Sequence, residues 1–223
     1  MKTVQNRCFL CNFTRTLRLL ALFITLFISA VYIAITNYHA EMLPPDLLLA
    51  ISSTREIVAF PAVIEIFIME IAFELIREAG LRVPTPIGPT IGIVGALILG
   101  QAAVQANIVS PMVVIVVALG GLCSFAIGEI SLNFAVRLSR FIFLLAASLM
   151  GFYGVTAMLT FVLFYLISLR SFGVPYLSPM TPAYLSSKDT VFRRLLRNEK
   201  FRPGYLKIYD SVKGGKNHGK NSE

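Results

Sequence analysis

The amino-acid sequence predicts an all-α protein, a polytopic bundle of transmembrane helices. Hydrophobic residues make up 56% of the 223 residues and charged residues only 14%, which is far from the balance of a soluble domain. Residues 87–117 form an apolar tract without a formally charged side chain, long enough to contain a membrane-crossing helix. These observations predict that the working part of the chain lies inside a lipid bilayer.

Basic residues concentrate at the two ends of the chain. Lys2, Arg7, Arg15 and Arg18 precede the first apolar run, and eleven basic residues against four acids follow Leu169. Because basic flanks are retained on the cytoplasmic side of a membrane, both termini are predicted inside and the number of crossings even. A nucleic-acid partner is disfavoured, since these charges flank membrane segments.

The predicted organisation has three parts: a basic N-terminal segment (1–18), a transmembrane domain (19–169), and a basic juxtamembrane segment with a disordered cytoplasmic tail (170–223). Apolar runs place the spans at 19–36, 89–106, 111–127 and 141–169. The last run is too long for one upright span and too short for two, so Gly151 and Gly154 are predicted to kink or divide it. Asn107 and Ser110-Pro111 predict the turn before the span at 111–127.

An acidic helix is predicted at residues 60–79, either at the membrane interface or re-entrant. Glu65, Glu70 and Glu74 interrupt its apolar sequence, and Gly80 offers a C-cap. Glu70 and Glu74 are like charges one turn apart, so either a partner neutralises them or water reaches them. Acids at membrane depth usually carry function, whereas acids in the headgroup region are simply solvated; both interpretations stay open.

Small residues form one stripe of the following helix. Gly88, Gly92, Gly95 and Ala102 recur at helical spacing. Because small residues allow close approach of helix backbones in lipid, this stripe is interpreted as a helix-packing face.

A second stripe on the same helix combines branched apolar residues with amides: Val94, Ile98, Gln101 and Gln105. If several copies surrounded an axis, this stripe would form a hydrophobic constriction beside a ring of hydrogen-bonding amides, as in a pore with a gate. Alternatively, the glutamines hydrogen-bond neighbouring helices within one subunit.

No motif of an enzyme, a cofactor site or a metal site is recognisable. The CxxC at Cys8 and Cys11 has no second pair, and His39 and His218 stand in unrelated segments. The sequence therefore predicts a protein that is not an enzyme and uses no cofactor or metal.

The stretches FPAVIEIFIMEIAFELIREAGLRVPTPIGPTIGIVGALILGQAAVQANIVSP and RSFGVPYLSP, with VVIVVALGGLCSFAIGE and AVRLSRF between them, resemble the membrane region of the A subunit of GerA-type spore germination receptors. The resemblance covers roughly residues 19–194. It implies a location in the inner membrane of the bacterial spore, partner B and C subunits, and conversion of nutrient sensing into the release of monovalent cations through a homo-oligomeric pathway.

Members of that family normally carry a large soluble domain before the first span, and only about eighteen residues precede it here. The chain is therefore expected to be a fragment, a truncated gene product or a short paralogue. Two alternatives to an ion channel remain open: a secondary transporter with a site at broken helices, and a non-conducting assembly scaffold.

Overall fold

The computed structural model describes residues 2–82, 88–171 and 174–177, and this part of the chain is almost entirely helical. Its helices are α1 (Lys2–Tyr38), α2 (Pro45–Arg55), α3 (Ala62–Arg82), α4 (Gly88–Gln105), α5 (Pro111–Ser124) and α6 (Ile130–Ser168), with a 3₁₀ turn at Ala40–Met42. Two-residue strands, β1 (Arg170–Ser171) and β2 (Val174–Pro175), pair antiparallel after α6. The predicted all-α class is confirmed.

The chain divides into two compact units, residues 1–19 with 159–223, and residues 20–158. In the first unit, the β1–β2 ladder is closed by the Tyr176 N–H, which donates to the Leu169 carbonyl at 2.9 Å. The sequence predicts no strand in this segment. The second unit contains α2 to α5, most of α1 and α6, and all the candidate site residues.

The core of the second unit is formed by apolar side chains of α1, α3, α5 and α6. Ile33, Ile66, Val117 and Phe143, one from each helix, are completely buried. The rings of Phe27 and Phe143 meet edge-on with centroids 5.1 Å apart, which is a favourable aromatic geometry. These contacts hold the four helices around a single apolar centre.

A glycine lets α5 approach α1 closely. A Cβ at Gly120 would lie 3.1 Å from Ile28 Cγ2 and 3.4 Å from a guanidinium nitrogen of Arg140. Such close approach replaces the hydrophobic driving force that is missing between helices in lipid.

The outer surface of the helices exposes many large apolar side chains. Phe23, Leu122 and Phe161 are each more than half exposed, whereas soluble monomers expose few contiguous apolar patches. Two segments, Leu10–Tyr38 and Ile130–Ser168, are long and apolar enough to cross a membrane, while Val94–Gln105 and Pro111–Ser124 are shorter apolar helices. The surface therefore fits a membrane environment, and the number of crossings remains a prediction.

The turn between α4 and α5 forms where the sequence predicts it. Asn107 adopts a left-handed conformation with φ of 54°, which asparagine tolerates better than most residues. Ser110 is extended at the N-cap and Pro111 follows at the first helical position, where its missing N–H costs nothing.

Helix α6 is broken at Gly151, one of the two glycines that the sequence predicts to kink it. Its φ of 60° and ψ of −135° lie in a region that is essentially restricted to glycine. Tyr38 fills the space beside it, and the Tyr38 hydroxyl donates to the Ser148 carbonyl at 2.6 Å. The break exposes backbone carbonyls of the preceding turn, and Tyr38 satisfies one of them.

Several helix ends differ from the sequence prediction, and α6 begins at Ile130, well before the predicted run at 141–169. Helix α3 continues through Gly80 to Arg82, since a helical glycine costs only about 1 kcal/mol. Helix α5 ends at Ser124 rather than near Ile127, because the Asn133 side-chain amide donates to the Ser124 carbonyl at 3.0 Å. Helix α1 begins at Lys2, since no glycine or proline interrupts it.

Several predicted features lie outside the described residues. They are the proline-rich break at 83–87 and the tail beyond residue 177.

Candidate functional site

Glu70 of α3 is completely buried and has two polar partners on other helices. The Ser29 hydroxyl of α1 donates to Glu70 Oε1 at 2.6 Å, and the Arg140 guanidinium of α6 forms an ion pair with Oε2. Arg140 is only 3% exposed. Since an unpaired buried carboxylate is very costly, this ion pair and hydrogen bond are what permit Glu70 to occupy the core. Glu70 thus joins α1, α3 and α6.

One turn further along α3, Glu74 forms a second ion pair, with Arg137 of α6. Both side chains are partly exposed, 28% for Glu74 and 11% for Arg137. Ascending residue numbers in α3 meet descending numbers in α6, so the two helices run antiparallel here. Of the two alternatives that the sequence left open, the structure shows a neutralising partner: a pair of arginines three residues apart on one face of α6.

Arg77 of α3 binds the C-terminal turn of α5. Its Nη2 donates to the Gly121 carbonyl at 2.7 Å, and its guanidinium lies over the Phe125 ring, 4.6 Å from the centroid. Carbonyls in the last turn of a helix lack intrahelical partners and carry partial negative charge, which a cation stabilises.

Glu65 of α3 binds the other end of α5. Its Oε2 accepts a hydrogen bond of 2.9 Å from the backbone N–H of Ser110, and the side chain is 1% exposed. The start of α5 therefore meets the start of α3, and the end of α5 meets Arg77 one helix length later. Parallel α3 and α5 are joined at both ends by charged side chains of α3.

The acidic helix is thus a connector among α1, α5 and α6. Of these contacts, the pairing of Glu70 and Glu74 with Arg137 and Arg140 had a signal in the sequence, because two acids at i,i+4 matched two bases at i,i+3. The sequence contains no signal for the contact of Ser29 with Glu70 or of the Ser110 amide with Glu65. A serine side chain and a backbone N–H have no distinctive sequence pattern.

The predicted pore stripe of α4 lies on the open side of that helix. Val94 is 46% and Ile98 60% exposed, and Gln101 and Gln105 are exposed as well. These four side chains therefore lie together on one exposed face of α4.

The small residues of α4 divide between two surroundings. A Cβ at Gly95 would lie 3.5 Å from Ile76 Cγ2 of α3, an ordinary contact distance, so Gly95 faces α3. Ala102 is exposed. Gly88 and Gly92 belong to α4, but their surroundings lie outside the described part of the chain.

Within the described ranges, no three histidine, cysteine, aspartate or glutamate side chains form a group suited to a metal ion. Glu65, Glu70 and Glu74 of α3 are engaged by serine, arginine and a backbone N–H.

The profile of the family described as "Bacillus/Clostridium GerA spore germination protein" matches residues 2–205. The chain belongs to the GerA family. Similar proteins include Spore germination protein KA of Bacillus subtilis, 49% identical over 203 residues that cover 91% of this chain and 37% of that protein. Spore germination protein A1 of the same organism is 42% identical, covering 83% of this chain and 39% of that protein.

A third relative of this GerA-family chain is the B. subtilis Uncharacterized membrane protein YfkQ, 40% identical across 95% of this chain and 41% of that protein. The chain spans about two fifths of the length of these curated relatives. No solved structure matches it.

Proposed function

We propose that this GerA-family chain is the membrane subunit of a nutrient germinant receptor that triggers spore germination, working in the inner spore membrane as a multi-pass protein with B and C subunits. Membership of the family is the observation that carries this proposal. Two helices long and apolar enough to cross a membrane support it.

The chain forms part of an oligomeric, ligand-gated pathway for monovalent cations. Support comes from α4, where Gln101 and Gln105 are exposed on an apolar helix. Amides facing hydrocarbon are costly unless they hydrogen-bond or reach water, and a water-filled axis between copies would supply both. Val94 and Ile98 would form the dewettable constriction of that axis.

The pathway is tested by reconstituting the purified chain in liposomes and measuring potassium flux together with oligomer size. We expect a defined oligomer with a cation leak that Ile98→Ala increases, because a smaller side chain widens the constriction. Leu99→Ala, about 100° away on the same helix, is the matched control and leaves the flux unchanged. Tight vesicles that contain monomers would instead mean a non-conducting scaffold.

Glu65, Glu70 and Glu74 are proposed to favour cations near the mouth of the pathway. The arginines paired with Glu70 and Glu74 offset that field, so a simple Glu→Gln change would leave an uncompensated arginine. The double variant Glu74→Gln, Arg137→Gln keeps the net charge, whereas Glu74→Gln alone adds one positive charge. Reduced cation flux in the single variant but not in the double supports the field; equal flux and selectivity in both removes Glu74 from the pathway.

Secondary transport is the second candidate function, and the break of α6 at Gly151 favours it. Transporters bind substrates at discontinuous membrane helices, where backbone groups are freed. Flux that saturates with substrate concentration, without a steady ion leak, would distinguish a transporter from a channel.

A further inference from the structure

A cavity of about 370 Å³ lies beside the C-terminal turn of α1. Its polar wall consists of Thr36, Ser52, Arg55 and Glu56. The apolar wall is formed by Leu43, Leu48 and Ile51. The cavity therefore offers both charges and an apolar surface to one ligand.

Arg55 is held toward the cavity with donor capacity left over. Its Nη2 donates to Thr36 Oγ1 at 3.3 Å, and its guanidinium lies 5.7 Å from the centroid of the Tyr32 ring. A guanidinium has five N–H donors, so this one hydrogen bond leaves Arg55 able to donate to a further acceptor in the cavity. A planar guanidinium is well suited to phosphate oxygens.

The position of the cavity restricts the source of such an acceptor. It adjoins the last turn of the segment Leu10–Tyr38, which is long and apolar enough to cross a membrane. The end of such a segment lies at the level of lipid headgroups. Leu48 lines the cavity and is also 37% exposed, so the apolar wall extends from the cavity to the protein surface. An acyl chain attached to a headgroup in the cavity would lie along this apolar surface.

Glu56 narrows the class of headgroup. Glu56, an exposed residue, lines the same cavity as Arg55, so its negative charge disfavours a ligand that carries only negative charge. A headgroup with a phosphodiester and a primary ammonium carries both complementary charges. The ammonium would donate to the carboxylate while the phosphodiester accepts from Arg55.

We propose that this cavity binds the headgroup of phosphatidylethanolamine, with Arg55 on the phosphodiester and Glu56 on the ammonium. The bound lipid would contact both the end of α1 and α2, and would thereby stabilise their packing. This site is independent of ion conduction, so it stands or falls separately from the proposed function.

The test is native mass spectrometry of the full chain in detergent, titrated separately with phosphatidylethanolamine, phosphatidylglycerol and soluble phosphoethanolamine. We expect a one-to-one adduct with phosphatidylethanolamine, at least fivefold tighter than with phosphatidylglycerol, and weaker binding of phosphoethanolamine. Equal binding of both lipids overturns the assignment of the headgroup. Tighter binding of phosphoethanolamine than of either lipid overturns the assignment of a lipid.

Variants locate the adduct. Arg55→Gln is expected to lower affinity at least tenfold, while Arg170→Gln, an exposed arginine of β1, leaves it unchanged. Glu56→Gln is expected to raise phosphatidylglycerol binding to the level of phosphatidylethanolamine. Leu48→Trp fills the cavity without a change in charge and keeps the test decisive if Arg55→Gln fails to fold. Unchanged affinity in Leu48→Trp places the lipid elsewhere and overturns the proposal.

Discussion

Glu70 and Arg140 bury opposite charges where α1, α3 and α6 meet. Neither side chain reaches the surface of the second unit, and the Ser29 hydroxyl occupies the other carboxylate oxygen. For a buried ion pair, the loss of stability on removing one partner exceeds the net contribution of the pair to stability, because the remaining charge is left buried and uncompensated.

Arg140→Gln is therefore expected to lower stability by about 3–5 kcal/mol, as for other buried pairs that lose one partner. The thermal unfolding midpoint in detergent measures this. Glu74→Gln is the matched control, since the Glu74–Arg137 pair is partly exposed and its loss costs about 1 kcal/mol or less. Equal shifts for the two variants would contradict a dominant role of burial.

Glu65 holds the start of α5 through a hydrogen bond from the Ser110 N–H. Glu65→Ala leaves the Ser110 N–H buried without its acceptor, which costs about 1–3 kcal/mol. Glu65→Gln retains an amide oxygen and is expected to lose less. Hydrogen exchange at the Ser110 amide separates the two variants, since faster exchange is expected in Glu65→Ala. Unchanged exchange there would mean that Glu65 does not hold the start of α5.

Among the elements, α3 organises the second unit. It packs against α4 and α5, joins both ends of α5 through Glu65 and Arg77, and reaches α6 through two ion pairs. A helix that carries four acids and two arginines on an apolar background thereby becomes the connector of its neighbours.

The break in α6 leads to a prediction about Gly151. Gly151→Ala places a methyl group 2.9 Å from Tyr38 Cγ and forces alanine to a φ of 60°, strain of about 1–3 kcal/mol or more. The unfolding midpoint should fall clearly. Gly95→Ala is the control, because its methyl group would lie 3.5 Å from Ile76 Cγ2 within a regular helix, where alanine is preferred over glycine. A fall in Gly95→Ala as large as that in Gly151→Ala would refute this account.

In the proposed oligomer, copies of the chain contact one another through the exposed face of α4 that carries Val94, Ile98, Gln101 and Gln105. In a chain whose Cys8, Cys11 and Cys123 are replaced by serine, Ile98→Cys is expected to cross-link copies on oxidation in liposomes. Leu99→Cys on the same helix points about 100° away and should cross-link far less. Gel electrophoresis without reductant measures both. Equal cross-linking would show that α4 faces no specific partner.

Local sequence was enough to predict the all-α class, the approximate positions of the apolar helices, the turn at Asn107 and Ser110-Pro111, and a break near Gly151 and Gly154. These features follow from local chemistry: apolar composition, the φ that each residue tolerates, and the missing N–H of proline. The resemblance to the GerA family also came from the order of short stretches along the chain.

Which polar groups meet across the helices could not be predicted from the sequence. Glu65 and Glu70 lie on different faces of α3, and both are buried because α3 has neighbours on more than one side. Periodicity assigns a residue to a face of its own helix and carries no information about what covers that face. The partners Ser29, Arg140 and the Ser110 amide lie 41, 70 and 45 residues from their acids, so only the packing of the helices brings them together.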